Sequence, residues 1–157
     1  MEPAISVVEG VSLCLGVLGT VLGVINTLHA LGRDKVRLRV VPKAAYPIGM
    51  PGSREPRLCI EVTNMSWFPV TINEIGVLYH GSDARGSLAP PILMDGGSFP
   101  RRLESRSSFT AYAAPGALQD RGAPPIRCAF AKTDCGTIVE GDSPAFQKLV
   151  LDATLAR

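Results

Sequence analysis

Two patterns of hydrophobic and polar positions divide this chain. Residues 10–32 form an apolar stretch without Lys, Arg, Asp or Glu, whereas apolar and polar residues alternate over short runs in the rest of the chain. As a helix that rises about 1.5 Å per residue, this stretch is about 30 Å long, which matches the hydrocarbon core of a bilayer. We therefore predict a hydrophobic, transmembrane helix in residues 1–33 and a separate domain in residues 34–157.

One side of the predicted helix consists of small residues. Gly16, Gly19 and Gly23 lie on this side, and Gly19 and Gly23 have the GxxxG spacing that lets two helices approach closely. A glycine inside a soluble helix costs about 1 kcal/mol relative to alanine, but glycine is frequent in transmembrane helices. The composition therefore favours a membrane span, and the three glycines are candidate helix–helix contacts. Packing of this helix in a homo-oligomer is the alternative to a span.

Charged residues on the two sides of the apolar stretch predict its orientation. A secretory signal is not favoured, because the first nine residues contain two acidic and no basic residues and the stretch is longer than the usual apolar region of a signal peptide. Five basic residues follow the stretch: Arg33, Lys35, Arg37, Arg39 and Lys43. Because positively charged flanks stay on the cytoplasmic side, we predict a single-pass protein of the inner (cytoplasmic) membrane with a cytoplasmic C-terminal domain.

Alternation with a period of two predicts short β-strands after the helix. In residues 70–79 the alternation changes phase near Asn73 and Glu74, which predicts either a β-bulge or two short strands with a kink between them. The predicted strands cover residues 35–41, 57–64, 70–79, 107–113, 126–132, 136–140 and 145–151. About seven short strands separated by turns are typical of an antiparallel, immunoglobulin-like β-sandwich.

Three residues allow a comparison with immunoglobulin domains, in which two cysteines bridge the sheets and a tryptophan packs against them. Cys59, Trp67 and Cys128 occur in this order along the chain. The alternation places Cys59 on the polar side of its strand and Cys128 on the apolar side of its own, so the two thiols do not meet. We predict an immunoglobulin-like topology without the disulfide.

Residues 57–79, RLCIEVTNMSWFPVTINEIGVLY, combine a strand that ends near an asparagine, a turn and a strand that begins with PVTI. Together with the N-terminal apolar helix and the basic residues after it, this layout resembles that of uncharacterised bacterial proteins with one N-terminal hydrophobic helix followed by an immunoglobulin-like β-sandwich. The resemblance covers nearly the whole architecture. It implies a fold and no activity, because likeness at the level of the fold carries no function.

The composition argues against several kinds of site. The net charge of +2 gives no electrostatic basis for nucleic-acid binding. The four cysteines and two histidines lack the short spacing of a zinc site, and neither a phosphate-binding glycine loop nor a nucleophile elbow occurs. We therefore expect no enzyme activity, no metal and no cofactor.

The adjacent aromatic residues Trp67 and Phe68 are the candidate partner-binding residues. Two aromatic side chains in a turn are typical of a protein-binding hot spot. They could instead cap one end of the hydrophobic core, as the usual burial of tryptophan favours, or contact the membrane interface, where tryptophan is enriched.

Three functional hypotheses follow. The favoured one is a membrane-anchored interaction or scaffold module without catalytic activity, in contact with membrane lipid and with a protein partner that the sequence does not identify. The second is a soluble structural or assembly protein whose N-terminal helix mediates oligomerisation. The third is a sandwich enzyme or carbohydrate-binding module that uses carboxylates from distant strands in a groove.

Overall fold

The computed structural model describes residues 7–33, 35–46, 56–118 and 124–155. The chain divides after Lys35 into two compact units, of which the first contains one helix and the second is mainly β. The elements are α1 (Val7–Arg33), β1 (Leu38–Ala45), β2 (Arg57–Asn64), β3 (Val70–Tyr79), β4 (Arg85–Ser87), β5 (Ile92–Leu93), β6 (Arg101–Leu103), β7 (Ser108–Tyr112), β8 (Ile126–Thr133), β9 (Ile138–Gly141) and α2 (Pro144–Leu155).

Helix α1 is long and apolar enough to cross a membrane. Within it, Glu9–Ala30 is a segment of 22 residues with a mean hydropathy of 2.0, a criterion that signal sequences also meet. None of this segment is buried within the described structure. The helix therefore differs from the core helix of a soluble domain, which buries an apolar stripe against its own chain.

The β domain consists of two antiparallel sheets. The first has the strand order β1–β2–β7–β5, and the second has the order β4–β3–β8–β9, with β6 also paired to β3. Apolar residues of both sheets and of α2 form one core, in which Val62 of β2, Ile75 of β3 and Phe146 of α2 are almost completely buried. The prediction of a mainly β fold after an N-terminal helix is confirmed at this level.

Several predicted elements are confirmed in detail. Strands β2 and β3 occupy residues 57–64 and 70–79, and the register of β3 against β8 shifts between Ile72 and Glu74, where the bulge is predicted. The described residues contain nine strands instead of about seven. The additional ones are β4, β5 and β6, whose two or three residues are too few to show an alternating pattern.

Strand β1 extends beyond its prediction. The predicted strand covers residues 35–41, whereas Pro42 also lies within β1, opposite Ile60 of β2. A proline lacks the backbone N–H, but β1 is an edge strand of its sheet, where no second ladder requires that donor.

The prediction of a last strand over residues 145–151 is wrong, because this segment belongs to helix α2. Ser143 caps the helix: its Oγ accepts a hydrogen bond from the backbone N–H of Phe146 at 3.1 Å. Pro144 occupies the first helical position, where its missing N–H costs nothing. Phe146 and Leu149, three residues apart, face the core together.

Strand β1 contacts β9 and the start of α2. The hydroxyl of Ser143, besides capping α2, donates a hydrogen bond to the carbonyl oxygen of Pro42 in β1. The backbones of β9 and β1 also approach so closely that a Cβ on Gly141 would overlap the carbonyl oxygen of Val40. The first strand of the domain is thus held by residues at its far end in sequence.

Replacing Ser143 tests the first of these contacts. We expect Ser143→Ala to lower the free energy of unfolding by about 1–2 kcal/mol, because the variant loses both the helix cap and the bond to Pro42. Chemical unfolding followed by circular dichroism measures the change. Ser143→Thr keeps the hydroxyl and should retain most of the stability, and equal stability of Ser143→Ala and the wild type would contradict the assignment.

Candidate functional site

The turn between β2 and β3, residues 65–69, carries both candidate partner-binding residues and is bound to two other segments of the chain. The backbone N–H of Met65 donates to the carbonyl oxygen of Arg37 at 2.7 Å, just before β1 begins. The backbone N–H of Arg106, between β6 and β7, donates to the carbonyl oxygen of Asn64 at 3.0 Å. The turn is therefore an ordered part of the domain.

The side chain of Asn64 is the centre of this arrangement and has no exposed surface. Its amide nitrogen donates to the carbonyl oxygens of Phe68, Leu103 and Glu104 at 2.8, 3.1 and 3.2 Å, so its two hydrogens serve three acceptors. Its amide oxygen accepts the N–H of Ser66 at 2.9 Å. One side chain thus satisfies polar backbone groups on both sides of the turn.

Ser66 fixes the same turn to β1. Its hydroxyl oxygen accepts the backbone N–H of Arg37 at 2.8 Å, and its own carbonyl oxygen accepts the hydroxyl of Ser105 at 2.7 Å. Residues 64–66 also form an Asn-x-Ser glycosylation sequence. Because the side chains of Asn64 and Ser66 are both buried, the folded domain does not offer this sequence for modification, and the two residues serve the architecture instead.

Trp67 and Phe68 have different environments. Phe68 is half-buried and packs against the hydrophobic core, whereas 65 % of the surface of Trp67 is exposed. The interpretation that both rings cap the core therefore holds for Phe68 only. Trp67 instead presents an exposed indole on a turn whose backbone is hydrogen-bonded on both sides of it, at Ser66 and Phe68. Its partner-binding role stays a prediction.

Arg106 covers one face of the exposed indole. Its guanidinium carbon lies 4.6 Å from the centroid of the Trp67 ring, which is a cation–π contact. Arg106 has a φ of 62°, a left-handed conformation that costs a non-glycine residue about 1–2 kcal/mol. The hydrogen bond to Asn64 and the one from Ser107 N–H to Glu104 O, at 3.2 Å, hold this turn in place.

The glycines of α1 stand open. Gly16, Gly19 and Gly23 have no atom within 4 Å of the place where a Cβ would lie, apart from their own helix. The hydroxyls of Thr20 and Thr27, on the same side, donate to carbonyl oxygens one turn earlier, each at 2.9 Å. This side of α1 therefore has no protruding side chain at the three glycines, and the two threonine hydroxyls are already hydrogen-bonded. Its role as a helix–helix contact stays a prediction.

All four cysteines are free. Burial raises the pKa of Cys59 and raises that of Cys128 to about 11. Cys128 is buried, as predicted, but it does not share the face of Ile126, because Tyr79 pairs with Ile126 whereas Leu78 pairs with Cys128. This irregularity at Arg127 turns Cys128 to the side opposite Ile126, since directly paired residues share a face.

Cys135 lies exposed in the turn between β8 and β9 and has the opposite shift. Its Sγ is 3.1 Å from the hydroxyl oxygen of Thr133 and 3.5 Å from that of Thr137. Hydrogen bonds from these hydroxyls, first that of Thr133, stabilise the thiolate and lower the pKa of Cys135.

A shallow cleft of about 170 Å³ opens at the end of the domain opposite the β2–β3 turn. Leu58, Tyr79 and Ile126 line it together with small and apolar residues of 86–90 and 114–118. None of its described lining residues carries an ionisable carboxylate, amine, imidazole or thiol. In the described parts of the chain no group of three or more His, Cys, Asp or Glu could hold a metal ion.

Replacing Asn64 tests its central position. We expect Asn64→Ala to lower the free energy of unfolding by about 3–5 kcal/mol, because several buried polar groups lose their partner at once. The matched control is Asn73→Ala. Asn73 is exposed and donates only to Asp134, at 2.9 Å, so its loss should cost less than about 1 kcal/mol. Similar costs for both variants, measured by chemical unfolding, would contradict the assignment.

The thiol environments predict an order of reactivity. In the full-length chain near neutral pH, iodoacetamide should alkylate Cys135 at least about tenfold faster than Cys59 or Cys128, because exposure and a lowered pKa favour its thiolate. Mass spectrometry of the digested protein over time measures each site. Thr137→Val should slow the reaction of Cys135 and leave the other two unchanged; equal rates at the three sites would refute the order.

A scan against models of protein families finds no matching family, and a search of curated proteins finds no match. The resemblance to uncharacterised bacterial proteins with a helix followed by a β-sandwich therefore stays a prediction. A function for this chain has to be argued from its own helix, its anchored turn and its exposed side chains.

Proposed function

We propose that this chain is a single-pass, membrane-anchored β-sandwich module that acts by binding and not by catalysis. The observation that carries the proposal is the exposure of α1: Glu9–Ala30 buries nothing within the described structure, although the β domain has a core of its own. Apolar surface costs about 25 cal/mol per Å² when it stays in water. A bilayer supplies the apolar environment that the chain itself does not give this helix.

The order of the strands supports the immunoglobulin-like part of the proposal. An immunoglobulin domain has strands A, B, E and D in one sheet and C, F and G in the other, with C′ added next to C in some types. The orders β1–β2–β7–β5 and β4–β3–β8–β9 correspond to A–B–E–D and C′–C–F–G. The strand β6 is additional, and the free thiols of Cys59 and Cys128 replace the disulfide.

Two observations support a cytoplasmic position of the β domain. Lys35, Arg37 and Arg39, which follow α1, are exposed, and positive residues after a span favour the cytoplasmic side. The thiols of the domain are unpaired, which suits a reducing compartment better than an oxidising one.

The open glycine side of α1 favours a second candidate function. In a soluble assembly, the same apolar helix would pack against copies of itself along Gly16, Gly19 and Gly23, where nothing within the chain blocks close approach. This alternative predicts a soluble oligomer that becomes monomeric when residues 1–32 are removed, which size measurement in solution without detergent would detect.

Membrane fractionation with a matched pair of variants tests the anchor. The wild-type chain should remain with the membranes after carbonate extraction. Leu18 is exposed near the middle of α1, and Leu18→Arg should release most of the protein, because arginine at the centre of a span costs about 2.5–3.5 kcal/mol. Leu18→Ile keeps the apolar surface and should behave like the wild type. Recovery of the wild-type chain in the soluble fraction would refute the proposal.

Protease accessibility tests the orientation separately. In a bacterial host, the β domain should resist protease added to intact spheroplasts and be digested in inverted membrane vesicles, since its predicted side is the cytoplasm. Digestion in spheroplasts would show that the β domain lies outside the cytoplasm. That result would contradict the proposed orientation but not the membrane anchor.

A further inference from the structure

Four segments meet at the end of the β domain where the chain arrives from α1, and we call this surface the linker end. It consists of residues 36–37, 64–69, 104–107 and 133–137, all in the β unit. Hydrogen bonds join these segments to one another and to β3: besides the bond from Met65 to Arg37, the N–H of Asp134 donates to the carbonyl oxygen of Thr71 at 2.9 Å. The linker end is therefore a surface of fixed shape.

The chain between the two units is very short. Arg33 is the last residue of α1, and Arg37 already forms hydrogen bonds with the β2–β3 turn. Four residues span at most about 14 Å, whereas the polar layer on each side of a bilayer is about 5–7 Å thick. If α1 crosses a membrane, as proposed above, the linker end is kept at the surface of that membrane.

The linker end exposes the side chains that membrane interfaces favour. Trp67 is 65 % exposed, and Met65, two residues earlier in the chain, is exposed as well. Tryptophan is enriched at the boundary between headgroups and acyl chains, because its ring is apolar and its N–H is polar. The backbone of the turn is already ordered by Asn64 and Ser66, so contact with lipid requires little further ordering.

Two guanidinium groups of the linker end, those of Arg37 and Arg106, are exposed and can contact an anionic leaflet. Its two carboxylates have partners of their own: Glu104 is paired with Arg102, which lies just outside the surface, at 2.9 Å, and Asp134 accepts a hydrogen bond from Asn73 at 2.9 Å. A basic residue near an anionic membrane surface contributes about 1 kcal/mol to binding. The guanidinium of Arg106, held over the indole, combines a phosphate-binding group with an aromatic one at a single point.

We propose that the linker end is a docking surface for an anionic lipid bilayer, in which the indole of Trp67 inserts at the level of the headgroups and Arg106 binds lipid phosphate. This inference rests on the proposed span of α1. It proposes lipid as the binding partner of Trp67. A protein contact at Trp67 is an alternative result that the test below would detect.

The chain offers a direct probe, because Trp67 is its only tryptophan. The full-length protein is reconstituted in vesicles of phosphatidylcholine and phosphatidylglycerol that contain lipids brominated near the top of the acyl chain. Bromine quenches tryptophan fluorescence on contact. We expect strong quenching of Trp67 and emission at shorter wavelength than that of a tryptophan in water.

A double variant provides the matched control. Tyr46 follows the far end of β1 and is 67 % exposed, nearly the same as Trp67. The eight residues of β1 separate it from the linker end by about 25 Å. The variant Trp67→Phe with Tyr46→Trp moves the single tryptophan to this site, where brominated lipid should leave its emission unchanged and aqueous acrylamide should quench it.

The charge of Arg106 is tested in the same vesicles. Arg106→Gln should lower the ratio of docked to undocked domain about fivefold in anionic vesicles and have little effect in vesicles of phosphatidylcholine alone. Arg106→Lys keeps the charge in the same left-handed position and should retain most of the docking. An equal effect of Arg106→Gln in both kinds of vesicle would overturn the role of lipid phosphate.

The remaining outcomes separate this inference from the proposed function. If the chain resists carbonate extraction but acrylamide, and not brominated lipid, quenches Trp67, the span stands and the docking surface is refuted. If neither quencher reaches Trp67, a protein contact covers it and lipid docking is refuted as well. If the chain does not remain with the vesicles, the proposed function fails and this inference fails with it.

Discussion

The side-chain amide of Asn64 is the interaction on which the organisation of this domain most depends. A buried polar group is costly unless each donor and acceptor is paired, and here one amide pairs with backbone groups of Ser66, Phe68, Leu103 and Glu104. These groups lie in or next to the β2–β3 and β6–β7 connections, which are two of those that run from one sheet to the other. Because a single side chain binds backbone groups of both connections, the turn after β2 is hydrogen-bonded to the domain without the burial of Trp67.

The long-range pattern of the fold could be predicted from the sequence, whereas its short elements could not. Alternation over eight to ten residues defines β2 and β3, and the change of phase near Asn73 marks the bulge. Strands of two or three residues give no such signal, since their pairing depends on neighbours that are distant in sequence. Helix α2 was detectable: Ser143 and Pro144 form a helix start before the spacing of Phe146 and Leu149. The prediction of a strand from a period of two is wrong here because the run has the period of a helix.

The candidate site shows a similar division. The sequence singles out Trp67 and Phe68, but the tendency of tryptophan to be buried predicts the wrong environment for Trp67, because the neighbouring Phe68 takes the place in the core. Arg106 carries no signal of its own. Its contact with the indole depends on a left-handed turn and on the backbone hydrogen bond from Arg106 to Asn64. These two residues are 42 positions apart in the sequence. The Asn-x-Ser sequence of residues 64–66 points to glycosylation, and only the burial of both side chains shows that the pair serves the fold.

The contacts that Ser143 and Gly141 make with β1 have a consequence for the synthesis of the chain. β1 follows the apolar helix in the chain, but its contacts with β9 and α2 require residues that are made much later, since Ser143 comes 101 positions after Pro42. The contacts of β1 with β9 and α2 form only when α2 has left the ribosome. A product truncated before β9 would therefore lack these contacts.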